Sequence, residues 1–233
     1  MVIALKRDRL FYVGMAVALA VTAFVGFAPS YFLKPIFRPA AVVTPLMHVH
    51  GLLFAAWTLL LIVQTTLVAA HRTDLHRRLG VAGVVLALLM LAAGGMLALD
   101  SARLGLAPGG LDPVTFLAIP LGALAMFAGF FGAAMAKRRR PATHKRLMLL
   151  ATISIITPAI ARLWFVHQRP PIALGLTNLF VLVAVAHDYW RDRRVHPVYI
   201  WGGLLILVSG PLRIAIGHTD LWHAIARMLL RAG

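Results

Sequence analysis

The stretch "LMHVHGLLFAAWTLLLIVQTTLVAA", Leu46–Ala70, runs into "HRTDLHRRLG", His71–Gly80, and then into "VAGVVLALLMLAAGGMLAL", Val81–Leu99. Two apolar runs are thus joined by one short basic loop. A bilayer takes about 20 apolar residues per helical span, so this stretch reads as a transmembrane hairpin. The same reading extends outward to apolar runs at 10–29, 114–136, 145–166, 173–190 and 197–217, with 46–70 and 79–99 as the hairpin. The breaks "APS", "APGGLDP", "RRRP", "QRPP" and "RVHP" carry turn residues. The expectation is an all-α, polytopic membrane helical bundle, with one seven-helix transmembrane domain over 1–217. Residues 218–233 are expected to form an amphipathic interfacial tail, because Leu221, Ala224, Ile225, Met228 and Leu229 share a helical face. The first run is longer than a typical signal-peptide core and lacks a clear A-x-A site, so it is counted as a span.

Composition agrees. Of 233 residues, 61% are hydrophobic and 13% charged, about half the charge of a soluble domain; mean hydropathy is +0.87. Cysteine is absent, which excludes disulfides, thiolate ligands and iron–sulfur clusters. Glutamate is absent too, and the seven Asp fall at or beyond the ends of the apolar runs. A carboxylate relay inside the membrane therefore has no candidates, and a Glu-built di-iron site is impossible. The net charge of +16 sits in clusters between spans, which argues for topology and against a nucleic-acid partner.

Lysine and arginine set the orientation. The segments on one side hold 15 and the opposite side 8 of the 23 basic residues. The positive-inside rule then puts the N-terminus in the cytoplasm and the C-terminus outside. His71, His76, His144, His187 and His196 fall at cytoplasmic span ends, and His48, His50, His167, His218 and His223 at outer ends.

Span 2 carries His50, Trp57, Gln64 and His71 at sevenfold spacing, a slowly turning stripe. A mid-span Gln belongs toward the bundle. Span 5 places His144 and Arg162 five full turns apart on one face, with Pro158 kinking the helix between them. Span 7 repeats the pattern with Pro211, Arg213 and His218. Arginines inside spans are candidate site residues, and the alternative is snorkelling to headgroups. Arg162 and Arg213, with His48, His50, His167 and His218 at similar depth, suit haem propionates, a lipid phosphate or a quinone head.

On the cytoplasmic side Asp74 and Thr143 read as N-caps. His76 and His144 then sit in first helical turns, where the dipole disfavours the imidazolium. Neutral imidazole is the ligand form for metals. His71, His76, His144 and His187 converge if spans 2, 3, 5 and 6 are neighbours. The alternative is that topology alone places the basic residues there, where they bind anionic phospholipids at the cytoplasmic face.

A histidine opening a span, a mid-span Gln, "HRRLG" and later "HKRLM" and "ARLW" resemble a bacterial multi-pass membrane family known as a domain of unknown function. The resemblance covers about residues 46–166, matching at His50, Gln64, His76, Arg77, Arg78, Gly80, His144, Arg146, Met148 and Arg162. It implies a helical membrane bundle and carries no activity. Other seven-span classes fit worse. Retinal proteins need a lysine in the last span, and this chain has lysine only at 6, 34, 137 and 145. Zinc hydrolases related to adiponectin receptors use HxxxH there, against His218 and His223 here. Diheme b-type cytochromes place their ligands deeper than His50 and His71, which are about 31 Å apart along a helix.

Three functions remain open at this point. The first is redox or metal handling, with haem b or a Cu, Zn or Fe ion on the histidines and an anionic group on Arg162 and Arg213, served by a quinone or a redox partner. The second is a non-enzymatic assembly or lipid-binding factor. The third is a small-molecule transporter.

Overall fold

The computed structural model describes residues 2–37, 43–108, 111–166 and 169–231, with side chains from residue 7 onward. Among them every regular element is helical: α1 (Val2–Phe27), a π-helical turn (Ala28–Phe32), α2 (Lys34–Phe37), α3 (Pro45–Ala69), α4 (Thr73–Arg103), α5 (Pro113–Ala136), α6 (Pro141–Ser154), α7 (Thr157–Ile160), α8 (Pro170–Asp192), α9 (Pro197–Gly217) and α10 (Asp220–Arg231). Among the described residues six helices are long and apolar enough to cross a membrane: α1 with its π turn, α3, α4, α5, α8 and α9. The protein is a multi-pass, all-α membrane protein.

The fifth apolar run is the exception. It is helical to Ser154, broken at Ile155–Ile156, helical again over Thr157–Ile160, and irregular beyond. Pro158 explains the stop: its ring collides with the carbonyl four residues back, at residue 154, and it has no N–H to donate. At 14 residues, α6 is about 21 Å long, short of the ~30 Å hydrocarbon core. It is also the most enclosed helix, with Arg146, Leu147 and every residue from Leu149 to Ser154 buried. Its neighbours are α5, α8 and α9.

The chain forms two compact units: Met1–Ala93 with Pro158–Phe165, and Gly94–Thr157 with Val166–Gly233. In the first, α1 packs on α3. It buries Tyr12, Met15, Ala16 and Leu19, a stripe at three-and-four spacing, while α3 buries Trp57 and Leu61. Close approach needs glycine here. A Cβ on Gly26 would lie 2.1 Å from the Ala159 carbonyl oxygen, and one on Gly51 would lie 2.9 Å from the Tyr31 ring.

In the second unit α5 packs on α6 and α9, and α10 folds back on α5. Asp112 caps α5, its carboxylate accepting from the Thr115 amide at 2.8 Å; that bond holds its pKa below the usual carboxylate value. Trp222, Ala226 and Leu230 form the docked face of α10 with Ala98 and Leu117. The Trp222 indole donates to the Val114 carbonyl at 2.8 Å, and Arg103 donates to the Leu230 carbonyl at 3.2 Å. Leu221, Ala224, Ile225, Met228 and Leu229 are exposed on the rest of the helix, so the tail is amphipathic toward something other than its own bundle.

Two capping expectations are displaced. α4 starts at Thr73 and α6 at Pro141, so Asp74 and Thr143 lie inside first turns. Proline favours the first helical position, because its missing N–H would have no intrahelical partner there.

Candidate functional site

The predicted residues divide between the units. His48, His50, Gln64, His71, His76 and Arg162 belong to the first, and His144, His187, Arg213 and His218 to the second. His167 lies outside the described residues. Among the described residues no three of His, Cys, Asp or Glu come together in a group that could hold a metal ion.

Several histidines are tied into the helical frame. α3 stops at Ala69, so His71 leaves the stripe; it adopts a left-handed φ of 62° and accepts from the Arg9 guanidinium. His144 donates from Nδ1 to the Ala134 carbonyl at 2.9 Å, which fixes the proton on that nitrogen. His76 and His187 are half-buried on α4 and α8, and His218 is exposed at the end of α9. His196 caps α9, its Nδ1 accepting from the Val198 amide at 3.2 Å. Burial first, and then the Arg146 charge, push the His196 pKa below its ordinary value.

Arg213 is occupied as well. Its Nε donates to the Ser209 carbonyl at 2.9 Å and Nη1 to the Ile119 carbonyl at 3.1 Å. Gly122 makes room for its stem: a Cβ there would lie 2.3 Å from Arg213 Cδ.

The most saturated polar cluster escaped the sequence reading. Arg146 and Asp188 form a bidentate pair, Nε to Oδ2 at 2.8 Å and Nη2 to Oδ1 at 2.6 Å, at 1% and 0% exposure. Nη1 donates to the Ala142 carbonyl at 2.7 Å, and the His196 amide donates to Oδ2 at 3.2 Å. The guanidinium sits 5.6 Å from the Tyr199 ring centroid. Asp188 lies at the end of the sixth apolar run, one turn inside α8, and is fully buried there. Nothing local in the sequence signals a pairing across 42 residues; the one hint was that "HKR" places an arginine past the loop, inside the helix.

The first unit contains the opposite arrangement. The segment Phe27–Tyr31 turns beside the start of α3. The Tyr31 hydroxyl lies 3.2 Å from His48 Nδ1 and 3.3 Å from the His48 carbonyl, to which it can donate. Two residues on, His50 stacks on Phe54, centroids 4.2 Å apart and planes at 30°. Arg162 is the cation whose charge reaches His50; it donates to the Pro158 carbonyl at 2.8 Å and sits 4.6 Å from the Phe27 ring centroid. His50 Nδ1 is shielded from solvent and has no hydrogen-bond partner among the described residues, and the same is true of Ser30 Oγ, next in the chain to Tyr31. Gln64 Oε1, deeper along α3, is in the same condition. Buried polar atoms without partners cost about 1–3 kcal/mol each, and such atoms need a physical account. Aromatic faces, unused hydrogen-bonding atoms and a cation in one neighbourhood suit a flat polar headgroup.

Comparison with protein-family models, curated proteins and solved structures returns no match to this chain.

Proposed function

We propose that this is a redox protein of the bacterial inner membrane, and that the cluster of Ser30, His48, His50 and Arg162 receives the head of a quinone. The observation that carries this reading is that two solvent-shielded polar atoms lack partners among the described residues: His50 Nδ1, whose ring stacks on Phe54, and Ser30 Oγ, next in the chain to Tyr31. A quinone offers two carbonyl acceptors on a flat ring. The His50 ring, with Nδ1 protonated, and the Ser30 hydroxyl supply donors. Phe54 lies nearly parallel to the His50 imidazole and extends an aromatic wall, and the apolar length of α3 suits an isoprenoid tail. Arg162 stabilises charge on a reduced quinone oxygen, since a nearby cation favours the anion.

The positive-inside count supports an N-terminus in the cytoplasm. The fifth run crosses as a broken helix, giving seven crossings and a C-terminus outside. Irregular backbone at membrane depth needs partners from protein or a water-filled cavity; Ile156 at the break is buried. The quinone cluster then lies at the outer rim.

Haem b is the second reading, favoured by the same His50 nitrogen as an axial ligand and by Arg162 as a propionate partner. A Cu, Zn or Fe ion needs more ligands than this cluster gathers. Lipid binding by the basic loops is compatible with either reading, and a transporter has no group here that couples a proton to transport.

The full chain, purified from membranes in mild detergent and extracted, is expected to yield near-stoichiometric quinone by mass spectrometry, with no Soret band. A Soret band without quinone replaces this reading by the haem one. Neither signal removes both.

A further inference from the structure

The second unit has a feature unrelated to the quinone cluster. A groove of about 470 Å³ opens on its surface between α5, the first turns of α6, and α9. That volume falls in the range of small-ligand sites, roughly 300–1,000 Å³. The wall is almost wholly apolar. Ala125, Gly129 and Ala133 leave the α5 side shallow, Pro197 and Leu205 line the α9 side, and Trp201 stands at its edge with 68% of its surface exposed.

The charge lies at one end. Ala133 is one turn before Lys137–Arg140, all exposed, and Pro197 follows Arg193 and Arg194, also exposed. From Ala133 the groove extends along α5 for about 12 Å to Ala125, away from these six cations. One end thus demands anionic charge and the rest demands hydrocarbon.

We infer that this groove holds one acyl chain of an anionic phospholipid, whose phosphate is bound by Lys137–Arg140 and Arg193–Arg194. Charge decides the occupant. A second copy of this chain, or any helix obeying the positive-inside rule, would bring cations to the same membrane face and meet repulsion at the mouth. An anionic phospholipid brings the complementary charge, which contributes about 1 kcal/mol per basic residue near a membrane surface. A chain seated in the groove also covers Trp201.

Trp201 supplies the readout. The full chain is reconstituted in phosphatidylcholine vesicles with increasing amounts of phosphatidylglycerol brominated on its acyl chains. The fluorescence difference between wild type and Trp201→Phe isolates the Trp201 signal. Its quenching is expected to saturate at low mole fraction, with roughly tenfold preference over equally brominated phosphatidylcholine, about what one or two such cations supply. Joint replacement of all six cations, Lys137–Arg140 and Arg193–Arg194, by Gln should reduce the preference to about twofold or less, and Ala133→Phe should shield Trp201 from both lipids. Quenching that simply tracks the bulk mole fraction, equally for both lipids, overturns the site; the wild-type and Trp201→Phe pair decides this even if the charge and Ala133 variants fail to fold. Quinone retention is unaffected by either outcome.

Discussion

Two polar clusters in this membrane protein stand in opposite states. The Arg146–Asp188 pair has little hydrogen-bonding capacity left: the carboxylate accepts two guanidinium bonds and an amide, and Nη1 is used on a backbone carbonyl. In the cluster around His50 and Arg162, shielded polar atoms remain without partners among the described residues. Satisfied buried networks hold a fold in one geometry. Unsatisfied ones cost free energy unless something else completes them. The difference separates a lock from a receptacle, although both are built from one arginine and nearby aromatic rings.

The largest expected effect lies in the lock. Asp188→Ala leaves the Arg146 charge buried and unpaired, and should lower unfolding stability in detergent by about 3–5 kcal/mol. The double change Arg146→Met with Asp188→Leu should recover most of that. A loss under about 1 kcal/mol for the single change, typical of surface pairs, would show that the pair is not enclosed.

A steric test of the receptacle's support comes next. Gly26→Ala sets a methyl against the Ala159 backbone, which cannot swing aside, and should cost about 1–3 kcal/mol. Gly14→Ala, on the same helix with no atom within 4 Å of the new carbon, should instead be neutral or stabilise by up to ~1 kcal/mol. Equal effects at the two positions would remove the close contact from the account.

The receptacle itself should behave unlike the lock. His50→Phe and Arg162→Gln are expected to reduce quinone affinity about tenfold each, some 1.4 kcal/mol, while thermal unfolding of the quinone-free protein changes little. Destabilisation on the scale of Asp188→Ala would make these residues structural.

The smallest effect is the pH dependence of the His196 cap. Its pKa is lower folded than the ordinary 6.5, so the unfolded chain binds the proton first as pH falls. Stability is therefore fully present above pH 6.5 and declines as pH drops below that toward the folded pKa. His196→Ser replaces the capping Nδ1 with a hydroxyl oxygen and should flatten that part of the profile measured by thermal unfolding.

The hairpin of α3 and α4 was legible in the sequence because run length and loop charge are local properties. The apolar face of the tail helix was legible for the same reason, whereas the caps expected at Asp74 and Thr143 fell inside first turns. The break at Ile155–Ile156 was half-legible: Pro158 announces a disturbance, but whether a helix kinks or stops depends on what encloses it. His71 dropped out of the span 2 stripe because α3 ends two residues earlier, and a heptad pattern does not mark its own end. The Arg146–Asp188 pair was illegible, since no local pattern links residues 42 apart. Without it, the arginine of "HKRLM" read as a topology signal. His50 and Arg162 were both singled out in sequence, yet their proximity depends on the chain returning to α3 after the Pro158 break.

The most direct test of the receptacle is quinone content per chain in three proteins purified identically: wild type, Arg162→Gln and the Arg146→Met/Asp188→Leu double variant. Near-stoichiometric quinone in wild type and the double variant, with most of it lost from Arg162→Gln, is the predicted result. Equal content in all three, or none in wild type, would contradict it.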